Sequence, residues 1–272
     1  MSSFLAMENV SFTYPNGHQA LEDVTIKVEK GERVAIIGQN GAGKTTAAKL
    51  MNGLNKPTAG DVWIDGWNTK DYTTAQIARK VGYVFQNPDD QIFHNRVYDE
   101  IAFGPKNLDC SQEEIKQRVH AAAEIVQIQQ FLTENPYDLP YSMRRFVTTA
   151  SVIAMDPEVV ILDEPTAGQD KKGLEILAET IEQLTAQGKT VITITHDMEF
   201  VANHFQRTIV MAHRNKIADG PTKEIFYQRD ILEEAGVKPP HVSRLAQSLD
   251  FQQKVLGIHD FIQQLKQIGL KD

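Results

Sequence analysis

The chain has 272 residues, enough for one large domain with an appendage and a sizeable buried core. Its 36 acidic residues exceed its 28 basic ones, and the net charge of -8 argues against a nucleic-acid partner held mainly by charge. A single cysteine, Cys110, excludes an internal disulfide and favours a reducing, cytoplasmic location. No apolar run reaches the roughly 20 residues that span a bilayer, so we expect any membrane role to depend on a partner.

The first third of the chain alternates apolar and polar residues, a pattern typical of strands. A turn at residues 15–17 and a glycine-rich loop at 38–43 interrupt it, and an amphipathic helix at 44–54 follows the loop. The predicted strands occupy residues 5–14, 21–32, 33–38, 60–66 and 80–86. The first two predict a partly solvated, N-terminal antiparallel sheet, whereas the apolar third segment favours a buried strand.

The middle of the chain changes to a helical pattern. Ser111 followed by Glu114 is a capping box that predicts a helix over residues 112–128. Few strand signals surround it, so we expect a helical insertion at about 88–155. Beyond the insertion, buried strands are predicted at residues 158–164, 190–196 and 207–220, with a helix at 173–188. Buried strands that alternate with helices indicate an α/β core with a parallel or mixed sheet.

Pro239-Pro240 marks a boundary near the end of the chain. We therefore predict one domain over residues 1–236 and a small helical appendage over residues 237–272. Apolar residues of the appendage recur at roughly helical spacing, which favours core packing over a dedicated partner surface. They are Leu245, Leu249, Leu256, Phe261, Ile262, Leu265 and Ile268.

The segment GQNGAGKT, from Gly38 to Thr45, matches the Walker A phosphate-binding pattern in full. It follows a buried strand and opens a helix, which separates it from a chance glycine-rich turn. Its glycines let successive backbone N–H groups point at phosphate oxygens, and the helix N-terminus adds positive charge. We expect Lys44 to reach the β- and γ-phosphates and the Thr45 hydroxyl to bind Mg²⁺. The predicted ATP-binding residues here are Gly38, Gln39, Asn40, Gly41, Ala42, Gly43, Lys44, Thr45 and Thr46.

Two acidic residues follow a second buried strand. Ligands of open α/β sheets bind at the carboxyl ends of the strands. We therefore predict that Asp163 acts on Mg²⁺ and that Glu164 orients and deprotonates an attacking water. Carboxylates at a strand end are also common helix caps, and Pro165-Thr166 resembles a helix start, so that alternative is open for the pair alone.

Two further strands end in polar side chains. His196 ends the segment 190–196, and we favour a γ-phosphate contact over a purely structural histidine. Gln86 ends the segment 80–86 in the same way, and its amide is expected to touch Mg²⁺ or the lytic water.

These motifs in this order resemble the ATP-binding subunit of ABC transporters, from about Phe4 to Asp230. The resemblance implies a P-loop ATPase that uses ATP and Mg²⁺. Tyr14 stands where that family stacks an aromatic ring on adenine, although alone it would more often be a hairpin residue. The other matched motifs are the Q-loop at Gln86, Walker B with its catalytic glutamate at Asp163 and Glu164, the D-loop ending at Asp170, and the switch histidine His196.

The segments VFQNPDDQIF and YDEIAFGPKN narrow the resemblance to the energy-coupling-factor branch, which includes cobalt, nickel and vitamin importers. In that branch two ATPase subunits bind a transmembrane scaffold protein, and a separate membrane protein captures the substrate. The resemblance thus implies a peripheral protein on the cytoplasmic side of the cell membrane, with no nucleic-acid partner. Scaffold contact and a solvated loop are equally open for the acidic run Asn87, Asp89, Asp90 and Gln91.

The chain departs from the family at the signature Leu-Ser-Gly-Gly-Gln, which closes the ATP site of the facing subunit. By register the signature falls on Leu139, Pro140, Tyr141, Ser142 and Met143. Pro140 has neither hydroxyl nor N–H. Tyr141 and Ser142 carry side chains where the backbone has to approach closely, and Met143 lacks the polar contacts of glutamine.

Three neighbouring features complete this interpretation. Pro140 is expected in the first turn of a helix capped near Asp138 or Leu139. Gln169 stands where leucine is usual in the D-loop. Arg144 and Arg145 are interpreted as helix-face charges rather than nucleotide contacts.

The intact Walker motifs beside an altered signature predict an asymmetric heterodimer. A partner with an intact signature would complete this chain's site, whereas the partner's own site would be closed by residues 139–143 and be slow. Two alternatives are open: a nucleotide-binding structural or regulatory subunit with little hydrolysis, and a soluble ABC-family ATPase. The resemblance implies that the membrane capture protein, and not this chain, determines the transported substrate, so vitamin and metal ion are both open.

Overall fold

The computed structural model of the chain describes residues 3–251 and 253–267. The strands are β1 (Leu5–Thr13), β2 (Gln19–Val28), β3 (Arg33–Ile37), β4 (Ala59–Ile64), β5 (Trp67–Asn68), β6 (Val81–Val84), β7 (Val159–Asp163), β8 (Thr190–Ile194), β9 (Arg207–Ala212) and β10 (Asn215–Pro221). The helices are α1 (Lys44–Met51), α2 (Thr74–Ala78), α3 (Val97–Asn107), α4 (Gln112–Ile125), α5 (Tyr141–Ile153), α6 (Lys171–Ala186), α7 (Met198–His204), α8 (Thr222–Ile225), α9 (Arg229–Glu234), α10 (His241–Ser248) and α11 (Ile258–Gln267).

The larger sheet has the strand order β10-β9-β3-β8-β7-β6. Adjacent strands within this sheet are parallel, except for β9 and β10, which form an antiparallel hairpin. Every residue of β7 and β8 is buried, as expected for strands covered on both faces. The predicted α/β fold with a mixed sheet is confirmed, and the carboxyl ends of β3, β6, β7 and β8 meet at one edge.

Side chains on the two faces of β7 enter two different apolar clusters. Val160 and Leu162 pack with the helices α3 to α6, whereas Val159 and Ile161 pack toward α1 and the second sheet. This division follows from the two-residue period of a strand.

The second sheet is antiparallel, in the order β2-β1-β4-β5. It is the N-terminal β subdomain predicted from the alternating pattern, although the short strand β5 and the helix α2 were not predicted.

The region between β6 and β7 is helical and contains α3, α4 and α5. The capping box is present at the start of α4: the Ser111 hydroxyl accepts from the Glu114 N–H at 3.3 Å, and the Glu114 carboxylate accepts from the Ser111 N–H at 2.8 Å. This cap was predicted from sequence and is confirmed.

The last described residues form two short helices, α10 and α11, around the buried residues Ala246, Val255 and Phe261. Core packing is wrong for Leu245, Leu249 and Ile262, which are 48%, 50% and 44% exposed. An irregular segment separates the two helices, so spacing counted across it does not map to one face. Ile268 lies outside the described residues.

Within the two described ranges, no helix combines the length and the apolar character needed to cross a bilayer.

Candidate functional site

The loop between β3 and α1 has a backbone shape that requires glycine. Gly38 has φ of 146°, and a Cβ there would lie 2.1 Å from the Met211 carbonyl oxygen. Gly43, with φ of 99°, would place a Cβ 2.5 Å from a methyl group of Leu21. The loop therefore lies against β9 and β2 at distances that a side chain would prevent, and its curvature fits a phosphate group.

Lys44 is buried at the start of α1 and is held by the loop itself. Its ammonium donates to the carbonyl oxygens of Gly38 at 2.8 Å and Gln39 at 3.0 Å. Burial lowers the pKa of Lys44, and the charges of Glu164 and Asp163 oppose that shift. The ammonium thus lies at the mouth of the loop, where phosphate oxygens can replace the two carbonyls.

Asp163, the last residue of β7, is 2% exposed and accepts two hydroxyl hydrogen bonds. Thr45 donates to Oδ1 at 3.4 Å, and Tyr83 donates to Oδ2 at 2.6 Å. Burial and the negative charge of Asp163 raise the pKa of Tyr83, so its hydroxyl remains a donor. The oxygens of Thr45 and Asp163 suit a hard cation such as Mg²⁺, so the residues present fit the expected metal.

Glu164 follows directly and is paired with His196. Its Oε2 lies 2.7 Å from His196 Nδ1 and accepts from the His196 backbone N–H at 3.3 Å. Glu164 is 6% exposed, whereas the His196 side chain is 69% exposed. The next helix, α6, begins only at Lys171 and is capped by Asp170, so Glu164 is not the cap of that helix.

Tyr14, Lys44, Thr45, Gln86 and Glu164 line one cavity of about 180 Å³. The Tyr14 hydroxyl lies 3.1 Å from the Thr46 hydroxyl, which ties the β1–β2 hairpin to the phosphate loop. The structure therefore brings together the residues predicted to contact adenine, the phosphates and the attacking water. Asp170 does not line this cavity.

Residues 139–143, the predicted signature, lie at the start of α5. Pro140 is the N-cap, with ψ of 150°, and Tyr141 is the first helical residue. The expectation that Pro140 lies in the first turn is wrong by one position, because its extended backbone precedes the helix. Ser142 and Met143 line a separate cavity with Gln169 and Asp170. Gln169 donates to the Ser142 carbonyl at 3.2 Å, which joins the predicted D-loop to the predicted signature.

Arg145 is not a helix-face charge, and that interpretation is wrong. The side chain is 5% exposed and donates to the backbone carbonyls of Glu164 and Gln86. This face of α5 packs against the sheet, and the guanidinium reaches polar atoms at its edge. Arg144, by contrast, pairs with Asp89 at 2.6 Å. The contacts of Arg145 and Tyr83 leave no local sequence pattern, because their partners are distant in the chain.

The acidic run beyond Gln86 is partly structured by its own side chains. Asn87 caps a 3-10 turn over Pro88–Asp90 by accepting from the Asp89 N–H at 3.2 Å. The Gln91 amide oxygen accepts from the Phe85 N–H at 3.1 Å. Asp90 is exposed.

The fold, the glycine-dependent loop and the strand-end carboxylates together define a P-loop nucleotide-binding cassette. The profile of the ABC transporter family matches residues 21–167. An energy-coupling factor transporter ATP-binding protein from Methanosphaera stadtmanae is 37% identical over 252 residues, 92% of this chain and 91% of that protein. The chain belongs to the ABC transporter family.

Two further proteins extend the comparison. An ABC transporter ATP-binding protein of Methanosarcina mazei is 40% identical over 247 residues, 91% of this chain, and this chain spans only 42% of its length. The structure of cbiO1 from Clostridium perfringens, part of the complex cbiONQ, matches with a TM-score of 0.78 at 30% identity, covering 92% of this chain and 100% of that one. The resemblance to energy-coupling-factor type ATPase subunits is confirmed.

Proposed function

We propose that this chain hydrolyses ATP at its own Walker residues and powers an energy-coupling-factor type importer of a vitamin or a transition metal. The observation that carries this proposal is the Glu164–His196 pair, 2.7 Å between Oε2 and Nδ1, at the mouth of an intact phosphate loop. A carboxylate held by a histidine at the end of a buried strand is suited to accept a proton from water.

Each residue of the site has a separate task in this proposal. Lys44 exchanges its bonds to the loop carbonyls for bonds to phosphate oxygens. Glu164 orients the attacking water and takes its proton, while His196 holds the carboxylate and contacts the γ-phosphate. Thr45 and Asp163 hold Mg²⁺, which when bound offsets the negative charge of the phosphate oxygens. Tyr14 stacks on adenine and Gln86 lies beside the water.

The chain works as one half of an asymmetric pair of cassettes. Pro140 and Tyr141 stand where a facing subunit's nucleotide would meet a serine hydroxyl and a glycine amide. Loss of two or three hydrogen bonds to a charged phosphate, each worth about 1.5–3 kcal/mol, weakens closure of the partner's site. The working site of the pair is therefore the one built on this chain's Glu164, completed by a partner with an intact signature.

The pair binds a transmembrane scaffold from the cytoplasmic side, and a further membrane protein captures the substrate. Two relatives support this placement: the energy-coupling factor transporter protein of Methanosphaera stadtmanae, and cbiO1 of Clostridium perfringens, which is part of the ABC transporter complex cbiONQ. Phe93 and Phe103 add a specific surface beside the Q-loop: they are 58% and 40% exposed, with their rings edge to face at 4.7 Å. An exposed aromatic pair of this kind suits an apolar helix of the scaffold.

The test is Glu164→Gln in this chain, purified in complex with its partner cassette and scaffold. We expect ATP turnover to fall by roughly a hundredfold or more, since general-base catalysis contributes about 10²–10⁴, while ATP binding is retained. Glu175→Gln, on the exposed side of α6, is the matched control and leaves turnover unchanged. Unchanged turnover in Glu164→Gln would instead favour a regulatory subunit.

A further inference from the structure

Arg145 lies in α5, two residues beyond the altered signature. It joins two separate segments at the edge of the larger sheet where the carboxyl ends of β6 and β7 meet. Its terminal nitrogens donate to the backbone carbonyls of Gln86 and Glu164. Gln86 lies 59 positions from Arg145 in the sequence and follows β6, and Glu164 lies 19 positions away and follows β7 directly. One buried side chain thus sets the spacing between the Q-loop and the Walker B strand.

The charge of Arg145 is compensated in an uncommon way. In the part of the chain that the structure describes, no carboxylate oxygen lies within 4.0 Å of its nitrogens, and Nε is buried without a hydrogen-bond partner. Buried cations are ordinarily paired with an anion because their desolvation is unfavourable. Here two carbonyl dipoles take that place, and the planar fork of arginine fits two acceptors at once.

Tyr141 contacts the same guanidinium. Its ring centroid lies 5.5 Å from Arg145 Cζ and 5.7 Å from Arg144 Cζ, within the range of cation–π attraction. Tyr141 occupies a glycine position of the family signature, and glycine has no ring to offer. The substitution that weakens contact with a partner's nucleotide therefore adds a contact to this chain's own site.

The hydrogen bond from Arg145 bears on the backbone conformation of Glu164. It has φ of 51°, in the left-handed region that non-glycine residues seldom adopt. Its N–H donates to the Ile194 carbonyl at 2.8 Å, and its carbonyl accepts from Arg145 and from the Ala167 N–H at 3.3 Å. Arg145 thus fixes the peptide that follows the carboxylate-bearing residue, on which the direction of the side chain toward His196 depends.

We propose that Arg145 is a positioning residue for ATP hydrolysis by this chain, and that Tyr141 holds its guanidinium in place. The proposal rests on the proposed function, since it concerns the geometry of the same Glu164. Arg145 does not line the cavity formed by Tyr14, Lys44 and Glu164, and it acts through the backbone carbonyls of Gln86 and Glu164. Its removal is expected to lower kcat and to leave the affinity for ATP nearly unchanged.

The first test compares Arg145→Met and Arg145→Lys in the purified complex of this chain with its partner cassette and scaffold. We expect Arg145→Met to lower kcat by about tenfold or more with KM for ATP changed less than about twofold, the pattern of lost positioning. Arg145→Lys, whose compact ammonium replaces the planar fork, restores part of kcat. Arg144→Met is the matched control, because it loses the pair with Asp89 and a ring contact with Tyr141 but no bond to Gln86 or Glu164.

The second test uses the isolated full chain and does not depend on turnover. Hydrogen–deuterium exchange without nucleotide is expected to increase in peptides that contain Gln86 and Glu164 when Arg145 is Met. Should Arg145→Met fail to fold, the half-exposed Tyr141 provides the readout. Tyr141→Ala removes the ring and is expected to lower kcat of this chain's site several-fold, whereas Tyr141→Phe retains the ring and the rate.

The Glu164→Gln complex, measured in parallel, gives the activity of the partner's site, which is subtracted from every rate. If Glu164→Gln retains full turnover, the proposed function fails. If Glu164→Gln is inactive but Arg145→Met changes only the unfolding temperature, with kcat per nucleotide-binding site and exchange unchanged, Arg145 is structural and the positioning role is overturned.

Discussion

The buried carboxylate of Asp163 is oriented by two hydroxyl groups at the proposed Mg²⁺ site. One of its oxygens accepts the Tyr83 hydroxyl, and the other faces the Thr45 hydroxyl, which is farther away at 3.4 Å. The tighter bond to Tyr83 fixes the rotation of the carboxylate, and the looser bond leaves Oδ1 available to a cation.

This arrangement predicts a defect in the variant Tyr83→Phe. The change removes a hydrogen bond to a charged group, worth about 1.5–3 kcal/mol, and leaves Asp163 Oδ2 buried without its donor. We expect the Mg²⁺ concentration for half-maximal ATP hydrolysis to rise by roughly tenfold or more, since 1.4 kcal/mol corresponds to about a factor of 10. Titration of Mg²⁺ at fixed ATP measures this shift. Tyr137→Phe is the control, because it also loses a hydroxyl bond, to the Ile92 carbonyl at 2.7 Å, outside the site. An identical Mg²⁺ dependence in wild type and Tyr83→Phe would contradict the role of Tyr83.

Site residues that are adjacent in the chain were predictable from sequence, whereas contacts between residues far apart in the chain were not. Gly38 to Thr45 are contiguous, and their spacing alone encodes the loop. Tyr83 reaches Asp163 across 80 positions and Arg145 reaches Gln86 across 59. Such contacts depend on strand order and on which face of α5 is buried, and neither follows from a local pattern.

At the scale of elements, Arg207 joins four strands or their ends at the side of the sheet away from the nucleotide. Its guanidinium pairs with Glu32 at 2.8 Å and with Asp219 at 2.8 Å, and it donates to the Lys27 carbonyl at 2.9 Å. The network thus links β2, the start of β3, β9 and β10. Since Arg207 is 23% exposed in its side chain, the pairs are only partly screened by solvent.

We predict that Arg207→Met lowers the free energy of unfolding by about 2–4 kcal/mol, because two carboxylates lose their shared partner. Chemical denaturation at neutral pH measures the loss. Arg229→Met, which removes an exposed pair with Glu233 on α9, is the control and leaves the unfolding midpoint unchanged. Equal midpoints for Arg207→Met and wild type would exclude a stabilising network.

The same network gives the stability a defined pH dependence. Burial alone would raise the pKa of Asp219, but hydrogen bonds and charge from Arg207, with those of Lys216, outweigh it and hold the pKa below 3.8. A carboxyl group with a lowered folded pKa stabilises the protein above its unfolded pKa, and the contribution is lost as pH falls through the folded value. The difference between wild type and Arg207→Met should therefore shrink below about pH 4.

Elements with a strong local signal were predicted correctly, and those set by tertiary contact were not. The capping box placed α4, and the apolar runs placed β3, β7 and β8. The two residues of β5 have no pattern of their own and pair only because β4 lies beside them. Core packing is wrong for part of the appendage, because the apolar spacing runs through the irregular segment that separates α10 from α11 and so does not define one helix face.

At the scale of the whole molecule, the proposed function gives one short segment opposite effects on two sites. Tyr141 contacts Arg145, which reaches this chain's own candidate site, whereas the proposal places Pro140 and Ser142 where a facing subunit's nucleotide would bind. We therefore predict that the two ATP sites of the pair differ in activity, which requires two unlike subunits.

The final prediction tests that division by restoring two signature residues and keeping Tyr141. Pro140→Ser with Ser142→Gly returns a hydroxyl and a close backbone approach to the facing site. Each recovered hydrogen bond of about 1.5 kcal/mol strengthens closure roughly tenfold. We expect the isolated full chain to form an ATP-dependent homodimer, seen by light scattering in the Glu164→Gln background, and to gain ATPase activity when Glu164 is intact. Gln169→Leu alone, at the D-loop, is the control and does not produce such a dimer. Equal association of the native and restored chains would mean that Pro140 and Ser142 do not limit closure, and the asymmetric pair would lose the basis that these two residues give it.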